Sequence, residues 1–356
     1  MTRILTACLS AAALLTLSAL PKPALAAGER DDFKVCWSIY VGWIPWQYGD
    51  AQGIVDKWAD KYDISIDVVQ INDYIESINQ YTAGQYDGCT MTNMDALTIP
   101  AAGGVDSTAL IVGDFSDGND GVVLKDKTRL ADIKGQNVNL VELSVSHYLL
   151  ARALESVGMS ERDVTVVNTS DADLVAAYQT DDVTSVVTWN PLLSTLTAQP
   201  GANLVFDSSK IPGEIIDLMV VNTDTLKANP KLGKALVGAW YEIMDRMQGD
   251  GEPARQARAA MGEIAGTDRA GFEAQLNATR MFYDAGEAVS FVNSPDLKTT
   301  MQRVAEFSFE HGLLGEGAPD AGFVGVETPS GVYGSDGNVQ LRFDPAYMKM
   351  AADGDL

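Results

Sequence analysis

The stretch from Ala109 to Leu124 reads ALIVGDFSDGNDGVVL, and it decides the expected architecture. Two apolar runs, Ala109–Gly113 and Gly121–Leu124, flank the segment Asp114–Gly121, which holds three acidic residues and two glycines. Short apolar runs bounded by turn residues are typical of buried strands. We therefore predict a strand on each side of Asp114–Gly121 and expect the chain to cross between two domains there.

Similar apolar runs alternate with helical patterns along the rest of the chain. The other predicted strands are Val35–Val41, Ile66–Ile71, Tyr86–Met91, Asn137–Val141, Val164–Asn168, Val183–Thr188 and Ile216–Val221. Helices are predicted over Ser146–Val157, from Asn229-Pro230 onward and around Met301–Phe309. This alternation is typical of an α/β fold with mostly parallel sheets and helices on both faces.

The predicted strands fall into two groups, before about residue 115 and between about 121 and 206, with no Pro- or Ser-rich linker between them. A return crossing is expected at Gly213–Val221. The chain would then form lobe I from residues 27–115 and 216–356, and lobe II from residues 116–215. The Gly-rich end from Gly315 onward is expected to be irregular and to wrap the surface.

Residues 1–26 have the pattern of a secretory signal peptide. Arg3 precedes the apolar run Ile4–Leu20, and Ala24-Leu25-Ala26 matches the small-x-small cleavage rule. A membrane anchor is the alternative, but the run contains Ser and Thr and ends at Pro21, short of the roughly 20 apolar residues that a membrane span needs. We therefore expect an exported protein cleaved near Ala26.

The mature chain keeps two cysteines, Cys36 and Cys89, in strands predicted for the same sheet. Export exposes them to an oxidising compartment, where a disulfide can form. The sequence does not show the geometry that a disulfide requires, so a disulfide and two buried thiols both stay open.

The charge balance excludes several function classes. The 356 residues carry 49 Asp and Glu against 25 Lys and Arg, a formal charge of −24. Nucleic-acid binding needs a basic surface, and so does binding to an anionic membrane. We therefore expect neither partner, although net charge alone does not identify a ligand.

Ligands of open α/β sheets bind beyond the carboxyl ends of the strands. The acidic residues at the five predicted strand ends are Asp50, Asp95, Glu142, Glu214 and Asp217, and the tryptophans are Trp43, Trp46 and Trp189. No Lys or Arg lies there. Carboxylates and tryptophan faces attract cations, whereas anion sites use basic side chains or clustered N–H groups. The local composition therefore predicts a cation site.

One feature points the other way. Ser146 is predicted to cap a helix, and helix N-termini favour anions. Glu142 could offset that dipole, or Ser144 and Ser146 could bind a neutral group.

The sequence contains few residues in patterns typical of catalytic or metal sites. His147 has no nucleophile in a recognisable motif beside it, so ligand contact or helix capping is expected, and His311 is expected to be structural at a helix end. Asp114–Gly121 fails the EF-hand spacing, and there is no CxxC pair. We expect no cofactor, no metal and no catalytic residue.

Four segments carry a resemblance to a known family: Gly42–Trp46, Tyr86–Asn93, Ser116–Gly121 and Val187–Pro191. Together with the signal peptide, they resemble the nitrate/sulfonate/taurine-type substrate-binding proteins of ABC transporters. The Trp-rich first segment and Thr188-Trp189-Asn190-Pro191 are most similar to the subgroup found beside urea carboxylase-type enzymes.

The resemblance implies a two-lobed periplasmic-binding-protein fold of type II, with two strand crossovers as the hinge and the ligand between the lobes. It also implies a monomer in the periplasm that delivers its ligand to an ABC permease. The subgroup implies guanidine or urea as the ligand, and guanidinium fits the predicted cation site because it is always charged and offers planar N–H donors.

The predicted site has three parts. Its aromatic box is formed by Trp43, Trp46 and Trp189, its charged acceptors are Asp95, Glu142 and Asp217, and its other ligand contacts are Asn93, Ser144, His147 and Asn190. Alternatives are a pocket for urea or for another neutral or anionic nitrogen or sulfur compound, a periplasmic sensor subunit, and an enzyme related to thiamine-pyrimidine synthases.

Overall fold

The computed structural model describes residues 28–356, so the predicted signal peptide lies outside the described residues. The strands are β1 (Asp32–Trp37), β2 (Ser65–Gln70), β3 (Gly88–Thr92), β4 (Ser107–Ser116), β5 (Asp120–Lys125), β6 (Asn137–Leu140), β7 (Thr165–Asn168), β8 (Ser185–Trp189), β9 (Ala202–Asp207), β10 (Ile216–Asn222), β11 (Thr279–Met281), β12 (Gly325–Thr328), β13 (Gly331–Tyr333) and β14 (Val339–Phe343).

The helices lie between and after these strands. They are α1 (Ile44–Ala51), α2 (Ile54–Lys61), α3 (Tyr74–Thr82), α4 (Asn93–Ala96), α5 (Val145–Ser156), α6 (Asp171–Tyr178), α7 (Leu192–Thr197), α8 (Thr223–Ala228), α9 (Pro230–Met247), α10 (Glu252–Ile264), α11 (Arg269–Leu276), α12 (Ala285–Val292), α13 (Pro295–Glu310) and α14 (Ala346–Asp353). In residues 28–356 no helix is both long and apolar enough to cross a membrane.

The strands form two sheets. The large sheet has the order β13-β12-β14-β4-β10-β3-β1-β2, with β11 added beside β4, and the small sheet has the order β7-β6-β8-β5-β9. Each sheet has a parallel core of three strands, β2-β1-β3 and β7-β6-β8. The neighbours β10 and β5 run antiparallel to those cores because they belong to the chain segments that pass between the sheets.

The chain passes from the large to the small sheet at Asp117–Asn119 and returns between β9 and β10. The sequence predicted that the crossing takes up the whole of Asp114–Gly121, but only Asp117–Asn119 is irregular. Asp114 belongs to β4 and Asp120 begins β5, and both are buried. Two acidic residues that resembled turn residues therefore lie inside strands.

The C-terminal segment is more regular than its glycines predicted. Strands β12 and β14 join the large sheet, and β14 pairs in parallel with β4. Val326, Leu341 and Phe343 are buried, so these strands extend the core of the large sheet. These strands are short and lie among glycines, so their alternation of apolar and polar residues does not stand out in the sequence.

Local signals locate other elements well. Helix α9 begins at Pro230 after Asn229, as predicted. Helix α5 begins one residue earlier than predicted, with Ser144 rather than Ser146 as its N-cap. Cys36 on β1 and Cys89 on β3 are register partners and form a disulfide, with an S–S distance of 2.13 Å.

Candidate ligand-binding site

A small cavity lies between the two sheets. The large sheet and the segments that follow its strands contribute Tyr40, Trp43, Tyr74, Thr92 and Asp217, the return crossing contributes Ile215, and the small-sheet side contributes Asp120, Val145 and Trp189. The centre of a water-sized sphere can move within about 10 Å³ of this cavity. That is close to the smallest volume that holds one water molecule. This space holds about one water molecule, so a ligand of several heavy atoms requires the cavity to widen.

Aromatic rings form one wall of the cavity. Trp43 lies 4.9 Å from Tyr40 and 5.7 Å from Tyr74, measured between ring centroids. Tyr74 in turn meets Trp189 edge-on at 5.5 Å, and Trp189 Nε1 donates to the carbonyl of Ile39 at 3.0 Å. Since Trp189 ends a strand of the small sheet, this wall joins the two sides. Such a wall attracts cations through the faces of its rings.

Two carboxylates lie side by side in the large sheet. Asp114 on β4 and Asp217 on β10 are register partners, and Tyr40 OH donates to Asp114 Oδ1 at 2.8 Å. Burial raises the pKa of each carboxyl, and for Asp217 the charge of Asp114 raises it further. Like charges this close disfavour double ionisation, so the pair retains a proton when no cation is present.

Two further buried carboxylates complete the acidic cluster, which comprises Asp95, Asp114, Asp120 and Asp217. Ser116 Oγ donates to Asp120 at 2.6 Å, and burial raises the pKa of Asp120 to about 7. Asp95 lies behind the cavity wall, where Tyr74 OH donates to it at 2.6 Å. Burial raises the pKa of Asp95 to about 6 despite that hydrogen bond.

The acidic cluster has no basic counterpart. Across residues 28–356, none of the ion pairs involves any of the four carboxylates. The residues that line the cavity include no Lys or Arg. A buried carboxylate without a counter-charge is costly to ionise, and a bound cation removes that cost.

The N-terminus of α5 also points toward this region. The backbone N–H of Val145, the first residue of α5, is directed at the carboxyl of Asp95 and lowers its pKa. Asp95, rather than Glu142, therefore faces the positive end of this helix dipole. The helix end that argued for an anion in the sequence is thus occupied by a carboxylate of the protein itself.

Four of the predicted site residues lie at or next to the cavity. Trp43, Trp189 and Asp217 line it, and Asp95 lies directly behind Tyr74.

The other predicted residues lie elsewhere or serve the scaffold. Trp46 packs against Trp240 at 5.2 Å and lines a second small cavity, which shares Trp43 and Asp217 with the first. Glu142 is exposed. His147 lies in a separate cluster with Glu161.

Three side chains predicted to contact the ligand form hydrogen bonds with the backbone instead. Asn93 donates to the carbonyl of Glu214 at 3.1 Å and accepts from Ile216 N at 3.1 Å, which fixes the return crossing. Asn190 Oδ1 accepts from the backbone N–H of Ser194 at 3.0 Å. Ser144 caps α5 and donates to the carbonyl of Val141 at 2.7 Å.

The sequence reading missed Tyr40, Tyr74, Asp114 and Asp120. Tyr40 lies at the end of the first predicted strand, so position alone could have found it. The absence of a side chain at Gly42 leaves room for Asp114, because a Cβ there would lie 2.4 Å from Asp114 Oδ2. Asp114 and Asp120 needed the strand register, which the sequence does not show.

Comparisons with known proteins agree with this architecture. Residues 60–248, just over half of the chain, match the NMT1/THI5 like family. A taurine-binding periplasmic protein of Escherichia coli (strain K12) is 26% identical over 117 residues, which cover 32% of this chain and 36% of that protein. A putative aliphatic sulfonates-binding protein of the same strain is 33% identical over 82 residues, covering 23% of this chain and 26% of that protein.

The chain thus matches only about a third or less of the length of these two curated relatives. Among solved structures, the alkanesulfonate-binding protein SsuA of Xanthomonas axonopodis pv. citri, bound to MOPS, superposes with a TM-score of 0.66 at 16% identity. That match covers 81% of this chain and 96% of the other. The chain therefore has the fold of periplasmic binding proteins and belongs to the NMT1/THI5 like family.

Proposed function

We propose that this protein is the extracytoplasmic substrate-binding protein of an ABC importer and captures a small cationic nitrogen compound, with guanidinium favoured. The observation that carries the proposal is the acidic cluster, which adjoins an aromatic cavity and has no basic partner within residues 28–356. Residues 27–115 and 216–356 would form one lobe and residues 116–215 the other, with the cavity between them.

Guanidinium matches the cavity lining in charge and in hydrogen-bonding groups. It has four heavy atoms, stays charged at any physiological pH and presents N–H donors in a plane. Asp120 and Asp217 line the cavity as acceptors, while Trp43 and Trp189 offer ring faces. Charge-assisted hydrogen bonds and ring stacking would then act together.

Anions and neutral compounds fit less well. The names of the relatives refer to taurine and sulfonates, but a sulfonate in this cavity would face buried carboxylates and no basic side chain. Urea is the second candidate because it shares the planar N–H donors. Urea would leave the carboxylates uncompensated, so it would bind only with their protonated forms.

Transport is favoured over catalysis and sensing. The cavity lining contains no His or Cys among the described residues, and these are the side chains on which an enzyme related to thiamine-pyrimidine synthases would rely. Both curated relatives and the SsuA structure are named as binding proteins. Export by the segment 1–26 would place the protein in the periplasm, as a monomer that docks on a permease.

Isothermal titration calorimetry with guanidinium, urea, taurine and nitrate tests the proposal. We expect guanidinium to bind the wild-type protein more tightly than urea, and taurine and nitrate not to bind. Asp217→Asn should lose most of the guanidinium affinity, whereas the exposed Asp117→Asn, a matched control beside the first crossing, should not. Tight binding of an anion without binding of guanidinium would refute the cation site.

A further inference from the structure

Both histidines of the chain meet at one carboxylate, outside the cavity. His147 Nε2 contacts Glu161 Oε1, and His311 Nε2 lies 2.5 Å from Glu161 Oε2. The imidazole centroids are 5.4 Å apart. We call these three residues the histidine cluster.

The histidine cluster joins the two sides of the molecule. His147 belongs to α5, which packs on β5 and β8 of the small sheet, and Glu161 precedes β7 of the same sheet. His311 ends α13, which packs on α4 and β13 on the large-sheet side. Any movement that separates the lobes at α5 and α13 must break the contact between Glu161 and His311.

The hydrogen bonds define the protonation state of each ring. His147 Nδ1 accepts from the backbone N–H of Leu143 at 3.1 Å, so Nε2 carries the proton that faces Glu161. His311 Nδ1 donates to the carbonyl of Phe307 at 2.8 Å, and its Nε2 faces the carboxylate. Both nitrogens of His311 therefore carry protons, so a His311 imidazolium balances the Glu161 carboxylate.

The charges around His311 favour this state. The hydrogen bond to Glu161 raises the pKa of His311, and the charge of Glu310 on α13 raises it further. Burial raises the pKa of Glu161, but the hydrogen bonds from both histidines outweigh it and lower that pKa to about 2. The other ionisable group that faces Glu161 is His147 on α5, and the Phe307 ring stacks on His311 at 4.0 Å.

A metal ion is the alternative occupant, since the three donor atoms lie within 4.8 Å of one another. A metal-bound imidazole normally donates from its other ring nitrogen. His311 satisfies that rule, but His147 does not, because its Nδ1 accepts a hydrogen bond from Leu143. The cluster is therefore better suited to a proton than to a metal ion.

We propose that the histidine cluster is a proton-dependent latch, which holds the lobes closed at mildly acidic pH and weakens as the pH rises. The inference rests on the two-lobe arrangement and not on the identity of the ligand. When the lobes separate, His311 loses Glu161 and its pKa returns toward the ordinary value of about 6.5. The latch is complete below that value and is lost as the pH rises through the raised pKa of His311 in the closed form.

The test is NMR of ligand-free protein with ¹³C-labelled histidine, because two histidines give two resolvable titrations. We expect one resonance to titrate well above pH 6.5 in the wild-type protein. Glu161→Gln should lower that midpoint by about one unit or more. Glu155→Gln removes an exposed carboxylate from α5, the helix of His147, and should leave the midpoint unchanged.

Small-angle X-ray scattering of the same samples between pH 5.5 and 9 gives the second readout. The wild-type radius of gyration should increase with pH, and Glu161→Gln should abolish that dependence. An ordinary midpoint for both histidines, or a midpoint that Glu161→Gln does not change, would overturn the latch. Stoichiometric binding of Zn²⁺ at micromolar concentration that shifts both resonances would overturn it in favour of a metal site.

Discussion

Asp120→Asn gives the sharpest test of the acidic cluster, because its effect on folding and its effect on binding have opposite signs. Asp120 is only 3% exposed and lines the cavity, and its carboxyl accepts a hydrogen bond from Ser116. Asparagine keeps the size of the side chain and an oxygen that can accept this hydrogen bond, but it removes the charge. The substitution therefore isolates the cost of burying the carboxylate.

The magnitude follows from the pKa. Burial raises the pKa of Asp120 from 3.8 to about 7 in the ligand-free protein. Each pKa unit corresponds to about 1.4 kcal/mol, so ionised Asp120 destabilises the folded state by about 4 kcal/mol. Below pH 4 both folded and unfolded states hold the proton and the penalty is absent. It grows as the pH rises from about 4 and is complete above about pH 7.

Ligand-free Asp120→Asn should therefore be as stable as the wild-type protein at pH 4 and more stable by up to about 4 kcal/mol at pH 8. Its affinity for guanidinium should fall about 10- to 100-fold, because one charge-assisted hydrogen bond is worth about 1.5–3 kcal/mol. Thermal unfolding by calorimetry is the assay for stability, since guanidinium and urea are candidate ligands and cannot serve as denaturants. Asp117→Asn is the control. Parallel pH profiles for Asp120→Asn and the wild-type protein, or unchanged guanidinium affinity, would refute the reasoning.

Three other substitutions test separate parts of the structure. Burial and the charge of Asp114 raise the pKa of Asp217, which destabilises the folded state above the ordinary pKa of an aspartate. Asp217→Asn removes that cost, so the thermal stability of the ligand-free protein at pH 8 should rise while calorimetry shows weaker guanidinium binding. Trp189→Leu should lower guanidinium affinity by about 0.5–2 kcal/mol, whereas Trp58→Phe, which lies outside the cavity lining, should leave affinity unchanged in the same titration. The double substitution Cys36→Ser and Cys89→Ser should lower stability by about 2–4 kcal/mol in a thermal melt, and a reducing agent should then have no further effect.

Local sequence patterns predicted most of the scaffold. Each of the nine apolar runs assigned as strands overlaps an observed strand, because a buried strand needs only a short continuous apolar segment. The strands β9, β11, β12, β13 and β14 were missed. In β11 to β14 the apolar residues are separated by polar residues or stand beside glycine, and β9 has only the three-residue run Leu204–Phe206.

The site was predicted less completely than the fold. The excess of acids and tryptophans at strand ends located Trp43, Trp189 and Asp217 at the cavity. It did not separate Glu142, which is exposed, from Asp120, which is buried. That distinction depends on which strand lies opposite, and long-range register is not encoded in any local pattern.

The net charge of −24 does not by itself account for the proposed binding of a cation. Most acidic side chains are solvated or paired; Glu214, for example, accepts from Arg152 and Arg303. In the proposed function, the ligand is selected by a few side chains inside strands that the fold brings to one cavity. Substitutions at in-strand positions such as Asp114 and Asp217 would then change the charge beside the cavity while the surrounding sheets keep the same pairing.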